Sequence, residues 1–157
     1  MKKIFLTALL SIIMCTTSAM ASSESDAVLK FFDNFVTASN NYDKSMENYF
    51  MPTTRIERIV IKPDNTRALL VIPMSEYTVQ LKKGAFLAKT IKYRNAFKNR
   101  KITKIGNDYK ITAQRFANAD KEGLNCFYVI TKVGNNYKIK TENWETKHQG
   151  FLKYIKE

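Results

Sequence analysis

Apolar positions along this chain follow two rhythms. From residue 28 onward, Val28, Leu29, Phe31, Phe32, Phe35 and Val36 gather on one face at about 100° per residue. Lys30, Asp33 and Thr37 fall on the other face. The spacing predicts an amphipathic helix starting at Asp26. Ser25 caps it, and Asp26 suits the positive end of the helix dipole. Asn40-Asn41 ends it. A short second helix is predicted over Asp43–Phe50, stopped before Pro52, with Met46, Tyr49 and Phe50 folding back on the first. A third is predicted over Glu76–Lys83. There Ser75 reads as the N-cap, Met74 and Val79 as a hydrophobic staple, and Gly84 as the residue after the helix end.

The remaining apolar residues alternate with period two. Arg55–Ile61 and Arg67–Ile72 read as strands joined by the turn residues Lys62-Pro63-Asp64-Asn65-Thr66, and Pro73 ends the second. Phe86–Arg94 fits both rhythms. Leu87, Ile91 and Tyr93 suit a strand, while Phe86, Thr90, Tyr93 and Phe97 suit a helix; the strand reading is taken. Further strands are predicted at Arg100–Ile105, Tyr109–Phe116, Leu124–Val133 and Tyr137–Glu145, with Asn118–Gly123 as a polar connection. Phe151, Leu152 and Ile155 in Lys147–Glu157 suit a final helical turn.

Two stretches in this region nearly repeat. ITKIGNDYKIT at 102–112 and ITKVGNNYKIK at 130–140 agree at eight of eleven positions. Glycine and Asn at each centre tolerate positive φ, so each copy predicts a tight hairpin. Two copies are too few for a stacked solenoid. The class that emerges is α+β with a largely antiparallel sheet, in the order ααββαββββ.

Length and charge refine this picture. The chain has 157 residues, enough for one domain. Lys2 and Lys3 precede an apolar run from Ile4 to Met14, and small residues follow up to Ala19-Met20-Ala21. That is the pattern of a cleavable export leader over residues 1–21, leaving a single domain over 22–157 in the periplasm or outside the cell. The run is shorter than the roughly 20 apolar residues needed to span a bilayer, so the mature chain is expected to carry no transmembrane segment. Met14 before Cys15 argues against lipid attachment at that cysteine. Without Lys2 and Lys3, 24 basic residues face 14 acidic ones, a net charge of +10. Cys126 is then the one remaining cysteine, so no intrachain disulfide is possible; between a buried core thiol and an intermolecular bridge, its apolar strand pattern favours burial.

The element order resembles the nuclear-transport-factor-2-like superfamily. Ser75-Glu76-Tyr77 with Leu81 and Gly84 is similar to the third-helix segment of its SnoaL-like and kinase-association-domain-like branches. Val133-Gly134-Asn135-Asn136-Tyr137-Lys138-Ile139 is similar to their last hairpin. The resemblance covers Asp26–Thr146. It implies a cone, in which a curved sheet wraps around the first helix. The superfamily includes isomerases, cyclases, hydratases and noncatalytic binding or assembly domains, so the fold does not choose among functions.

Its enzymes often place a carboxylate base in the cone beside a Tyr, His or Asp that polarises the substrate. No position here matches such a catalytic set. His148, the one histidine, follows the last strand, and Asp33 lies on the polar side of the first helix as a solvated acid. One histidine and one mature cysteine cannot build a zinc site, and no cofactor motif is present, so neither metal nor cofactor is expected. Tyr77, Tyr93, Tyr128 and Trp144 are the candidate ligand-binding residues of a cone pocket. Nine basic residues lie between Lys82 and Lys104 with no acid among them. From these, Lys92, Arg94, Lys98, Arg100 and Lys101 are the candidate anion-binding face. The interleaved Tyr93 and Phe97 suit base stacking, but export argues against nucleic acid and favours lipid headgroups or other envelope polyanions. The same charges could instead guard a sheet edge against pairing.

The expected function is an exported noncatalytic binding protein with a hydrophobic cone pocket, a basic partner-binding face, or both. Its partner would be a small apolar ligand or an anionic envelope component, and a homodimer is open. Two alternatives stand beside it. One is a SnoaL-like or ketosteroid-isomerase-like enzyme acting on a small apolar substrate. The other is a periplasmic assembly module of a type IV secretion machine, which a cleavable leader disfavours because such modules are normally tethered.

Overall fold

Residues 23–40 form helix α1, and its buried side chains are Val28, Phe32, Phe35 and Ala38. Their spacing is that of one helix face turned wholly into a core. Phe32 is inaccessible to solvent, and its ring stands edge-on at 4.9 Å from Tyr128 and 5.3 Å from Phe97. The computed structural model describes residues 23–118 and 121–155. The export leader read over residues 1–21 lies outside them.

Six strands follow: β1 (Phe50–Ile61), β2 (Arg67–Ile72), β3 (Asn95–Ile105), β4 (Asp108–Ala117), β5 (Leu124–Val133) and β6 (Asn136–Thr146). Helix α2 (Met74–Thr90) separates β2 from β3. The strands make one sheet in the order β2-β1-β6-β5-β4-β3. Neighbours are antiparallel except β1 and β6, which run parallel because the chain returns to its first strand at the end. Register shifts between Phe50 and Arg55, Lys98 and Lys101, and Val129 and Ile130 bend the sheet, as bulges do. The concave side receives α1. Tyr128, Ile130, Ile111 and Ile56 complete the core there.

The repeated stretches occupy equivalent hairpins. In one, Ile105 pairs with Asp108 across Gly106-Asn107; in the other, Val133 pairs with Asn136 across Gly134-Asn135. Gly106 and Gly134 hold φ of 61° and 60°, the positive value that a two-residue turn opened by glycine requires.

Several boundaries differ from the sequence pattern. Helix α1 is already helical at Ser23, so Ser25 lies inside it and is not its cap. The second helix is a 3-10 helix over Lys44–Tyr49, capped by Asp43, and Phe50 already belongs to β1. Tyr49 and Phe50 still reach Phe35, at 5.6 and 5.7 Å between rings. β1 begins ahead of Arg55 and takes in Pro52, which falls within the register shift where a missing N–H costs no ladder bond. β3 begins at Asn95, where the Asn40 side chain bonds both the backbone N and O of Asn95 at 2.8 and 2.9 Å.

The largest difference is α2. It follows Pro73 directly, so Ser75 is inside the helix and not its cap. It runs on through Gly84 to Thr90, so Phe86–Thr90 is helical and not a strand. Glycine inside a helix costs only about 0.5–1 kcal/mol relative to Ala, and Ala85, Leu87, Ala88 and Lys89 favour continuing. The Thr90 hydroxyl donates to the Phe86 carbonyl at 2.9 Å, and the chain turns away at Lys92, whose φ is 51°.

Two outcomes follow from this packing. Phe32→Ala removes a fully buried ring and should lower unfolding stability by about 3–5 kcal/mol; an unshifted urea midpoint would refute the assignment of the α1 face. Nothing lies within 4 Å of a Cβ built on Gly84, whose φ is not positive. Gly84→Ala should therefore raise the melting temperature, by a stability gain of up to about 1 kcal/mol. A lower melting temperature would mean that the glycine is needed where it stands.

Candidate functional site

The concave side is not completely filled. A cavity of about 780 Å³ opens between α2, the end of α1 and the 3-10 helix after it. That volume is within the range of small-molecule sites. α2 lines it with Tyr77, Leu81, Gly84, Ala85 and Ala88 along one face whose later members are small, and also with Gln80, Lys82, Phe86 and Lys89. Phe35 and Met46 face them, and Trp144 closes the inner end. Tyr93 and Asn95, from the chain leaving α2, supply polar groups.

Three of the four candidate ligand residues, Tyr77, Tyr93 and Trp144, meet in this wall. Tyr128 lies deeper. It is fully buried against Phe32, and its hydroxyl accepts a 2.6 Å hydrogen bond from Trp144 Nε1. Burial and the nearby Glu142 carboxylate raise its pKa well above the usual phenol value, so it stays protonated.

An ion pair is sealed behind Tyr77 and Trp144. Arg58 stands between Ile56 and Val60 in the inward phase of β1, and all three are buried. Its Nη2 donates to Glu142 Oε1 at 2.6 Å, and its Nη1 to the Glu57 carbonyl at 2.7 Å. The Tyr77 hydroxyl donates to the same Glu142 oxygen at 2.9 Å. Burial opposes the Arg58 charge most, but Glu142, Tyr77 and Tyr128 together outweigh it and the guanidinium pKa is raised. Burial, then the Glu142 charge, pushes Tyr77 well above the ordinary value, which keeps it a donor.

The Arg58 guanidinium lies 4.2 Å from the centre of the Trp144 ring, and Arg115 from β4 lies 4.4 Å from the same ring. Arg115 also donates to the Tyr93 hydroxyl at 3.1 Å, to Asn95 Oδ1 at 3.0 Å and to the Glu145 carbonyl at 3.3 Å. Among the described residues, Arg58 Nε, Arg115 Nε and Glu142 Oε2 are buried without a partner. Arg58, Arg115 and Glu142 escaped the sequence reading. The signal was present: Arg58 follows Ile56 by two residues, and Arg115 follows Ile111 and Ala113 by the same step, so both sit in the apolar phase of a strand.

The candidate anion-binding residues do not form one compact patch. Lys92 and Arg94 lie in the turn after α2, while Lys98, Arg100 and Lys101 run along β3, an edge strand. Folding brings acids to the run that are remote in sequence. Arg100 bonds Asp33 on α1, Lys104 reaches Glu24 at 3.1 Å, and Lys82 reaches Glu47 at 3.0 Å. The Lys98 ammonium lies 4.8 Å from the centre of the Phe116 ring. Asn99, at φ 54°, marks the bulge between Lys98 and Lys101. A bulged, positively charged edge resists pairing with another strand.

Other candidate chemistry lies away from the cavity. His148 packs edge-on against Phe151 at 5.4 Å. Cys126 is a buried free thiol whose pKa burial pushes up to about 12, so it is not a nucleophile at neutral pH. The carboxylates that do line the cavity are Asp43 and Glu47. The Ser45 N–H bonds Asp43 and holds its pKa below the usual carboxylate value, and Glu47 is bridged to Lys82.

No family model matches the chain, and no curated protein matches it. Solved structures do. A nuclear-transport-factor-2-like protein with a cystatin-like fold from Novosphingobium aromaticivorans aligns with a TM-score of 0.63 at 3% identity, covering 90% of this chain and 95% of that one. A putative scytalone dehydratase from the same organism aligns at 0.60 and 13% identity, covering 81% and 86%. A nuclear-transport-factor-2-like protein of unknown function from Pseudomonas putida aligns at 0.60 and 8% identity, covering 79% and 87%. At these identities the likeness is one of fold: this chain has the nuclear-transport-factor-2-like cone, as the element order implies.

Breaking the buried pair tests its role. Arg58→Met leaves Glu142 buried and unpaired and should cost about 3–5 kcal/mol, whereas Arg58→Met with Glu142→Leu should recover much of that loss. Urea unfolding of the three proteins measures it. A double variant no more stable than the single one would show that the pair is not the coupled unit.

Proposed function

We propose that this protein is an exported, noncatalytic binding protein that holds a small apolar ligand in its cone cavity. One observation carries the reading. The cavity wall is built from Phe35, Met46, Tyr77, Leu81, Ala88 and Trp144, while the buried Arg58–Glu142 pair is shut behind it. Such a wall recognises shape and apolar surface, and a few polar groups set orientation. Tyr93 is suited to the second task. Its hydroxyl accepts from Arg115, and its own proton has no acceptor among the described residues, so it is free to donate to a ligand oxygen. Export rests on the leader pattern of residues 1–21.

An enzyme on this cone would need a base facing the cavity. Asp43 is a weak one, held ionised by the hydrogen bond it accepts from the Ser45 N–H, and Glu47 is engaged by Lys82. His148 and Cys126 are not part of the wall. The binding reading is therefore the better supported of the two.

Filling the cavity tests it. Ala88 is half-buried and faces the space, so Ala88→Trp should occupy the cavity without disturbing the core. A fluorescent naphthalenesulfonate probe titrated into wild type should bind saturably at one site, and Ala88→Trp should weaken binding at least about tenfold, or about 1.4 kcal/mol. The melting temperature should hardly move. Equal probe binding by both proteins would place the probe elsewhere and remove the support for a ligand-holding cone.

A further inference from the structure

We infer that the outer face of the C-terminal half of α2 is a contact surface for an anionic lipid bilayer. Phe86 is 82% exposed, Leu87 61% and Ile91 53%. Val79, seven residues before Phe86 and on the same stripe, is 47% exposed. Phe86 and Val79 lie on the side of the helix opposite Tyr77; Phe86 also borders the mouth of the cavity, whereas Val79, Leu87 and Ile91 do not line it. α2 therefore carries apolar side chains beyond the cavity wall, and among the described residues nothing covers them. A single exposed leucine needs no explanation, but a cluster on one short segment does.

The charges around the cluster identify its occupant. Lys82, Lys83, Lys89 and Lys92 are interleaved with it, and from Tyr77 to Asn107 there is no Asp or Glu. Lys83, Lys89 and Lys92 make no ion pair among the described residues. Protruding Phe and Leu with flanking lysines is the composition of a helix that lies in a membrane interface, its apolar side chains entering the acyl boundary and its ammonium groups on anionic headgroups. With 17 residues, α2 is suited to lie on a bilayer, and no helix among the described residues is long and apolar enough to cross one. A second copy of the chain fits less well. A two-fold contact through this face would set the same lysines against each other, a repulsive arrangement. The β3 edge is also the poorer surface, since Arg100 and Lys104 there are already paired with acids.

Partition into vesicles tests this, and the cavity-filled Ala88→Trp protein, which should partition as wild type does, separates it from any effect of a cavity ligand. Protein processed in its own host is sedimented with vesicles of phosphatidylcholine alone, and of phosphatidylcholine mixed with phosphatidylglycerol, at low and moderate salt. Wild type should sediment with the anionic vesicles only, and less as salt rises. Phe86→Asp with Leu87→Asp should reduce the partition coefficient about tenfold or more, as should Lys83→Glu with Lys89→Glu, while Lys98→Glu with Lys101→Glu on β3 should retain binding. Emission from a Phe86→Trp variant, corrected for the wild-type Trp144 signal, should shift to the blue on adding anionic vesicles. The inference is overturned if wild type stays in the supernatant at low salt, if the β3 reversals remove binding as fully as those on α2, or if the Phe86→Trp emission does not move. Self-association that Phe86→Asp abolishes, without vesicle binding, would also overturn it and assign the face to a second copy.

Discussion

A charged arginine in the middle of a hydrophobic core is the constraint on which this structure turns. Arg58 on β1 is 2% exposed, and removing it from water is costly unless an opposite charge and further hydrogen bonds replace the lost solvation. Glu142 supplies the charge from 84 residues away, and Tyr77 binds the same carboxylate from 65 residues away on α2. The Arg58–Glu142–Tyr77 unit thus joins the first strand, the last strand and the helix between them. It requires β1 and β6 to lie side by side, in a register that sets Arg58 opposite Trp144. A slip of one residue would turn Arg58 to the other face of the sheet and leave Glu142 alone.

The same anchor explains why a cavity remains. Tyr77 is the one buried residue of α2, and it lies in the first turn. The rest of the helix departs from that fixed point with small residues turned inward, namely Gly84, Ala85 and Ala88. Small side chains on one face cannot fill the space to Phe35 and Trp144. Phe86, at the cavity mouth, and Leu87 beside it stay exposed, with nothing to pack on among the described residues. An internal space and an external apolar cluster are therefore two consequences of one helix held at one end. Trp144, with two guanidinium groups against its ring, gives the cavity a rigid floor.

Charge is distributed by folding and not by sequence order. The basic run looks uninterrupted along the chain, yet Asp33, Glu24 and Glu47, all ahead of the first strand, come to lie against Arg100, Lys104 and Lys82. Exposed pairs of this kind contribute little stability, about 0–1 kcal/mol each. Their effect is to lower the positive field where Arg100 and Lys104 stand on β3, while Lys83, Lys89 and Lys92 at the end of α2 make no ion pair among the described residues.

The sequence by itself determined the elements whose cause is local. The face of α1 follows from apolar spacing over a few turns. The two hairpins follow from Gly106 and Gly134, where glycine makes a positive φ inexpensive. β2 falls at Arg67–Ile72 as its alternation and flanking turn residues indicate. Tyr77, Tyr93 and Trp144 were named as aromatics suited to line a pocket, and the fold brings them to one cavity wall. Only the tertiary structure decided the rest, since its causes join residues far apart. Gly84 reads locally as a stop, but good helix formers beyond it carry α2 to Thr90 and convert an ambiguous strand into the helix that borders the cavity. Arg58 and Glu142 each look like ordinary surface charges until β1 and β6 pair. The cavity has no local signature at all: it is the space that remains once one tyrosine has fixed where a helix must start.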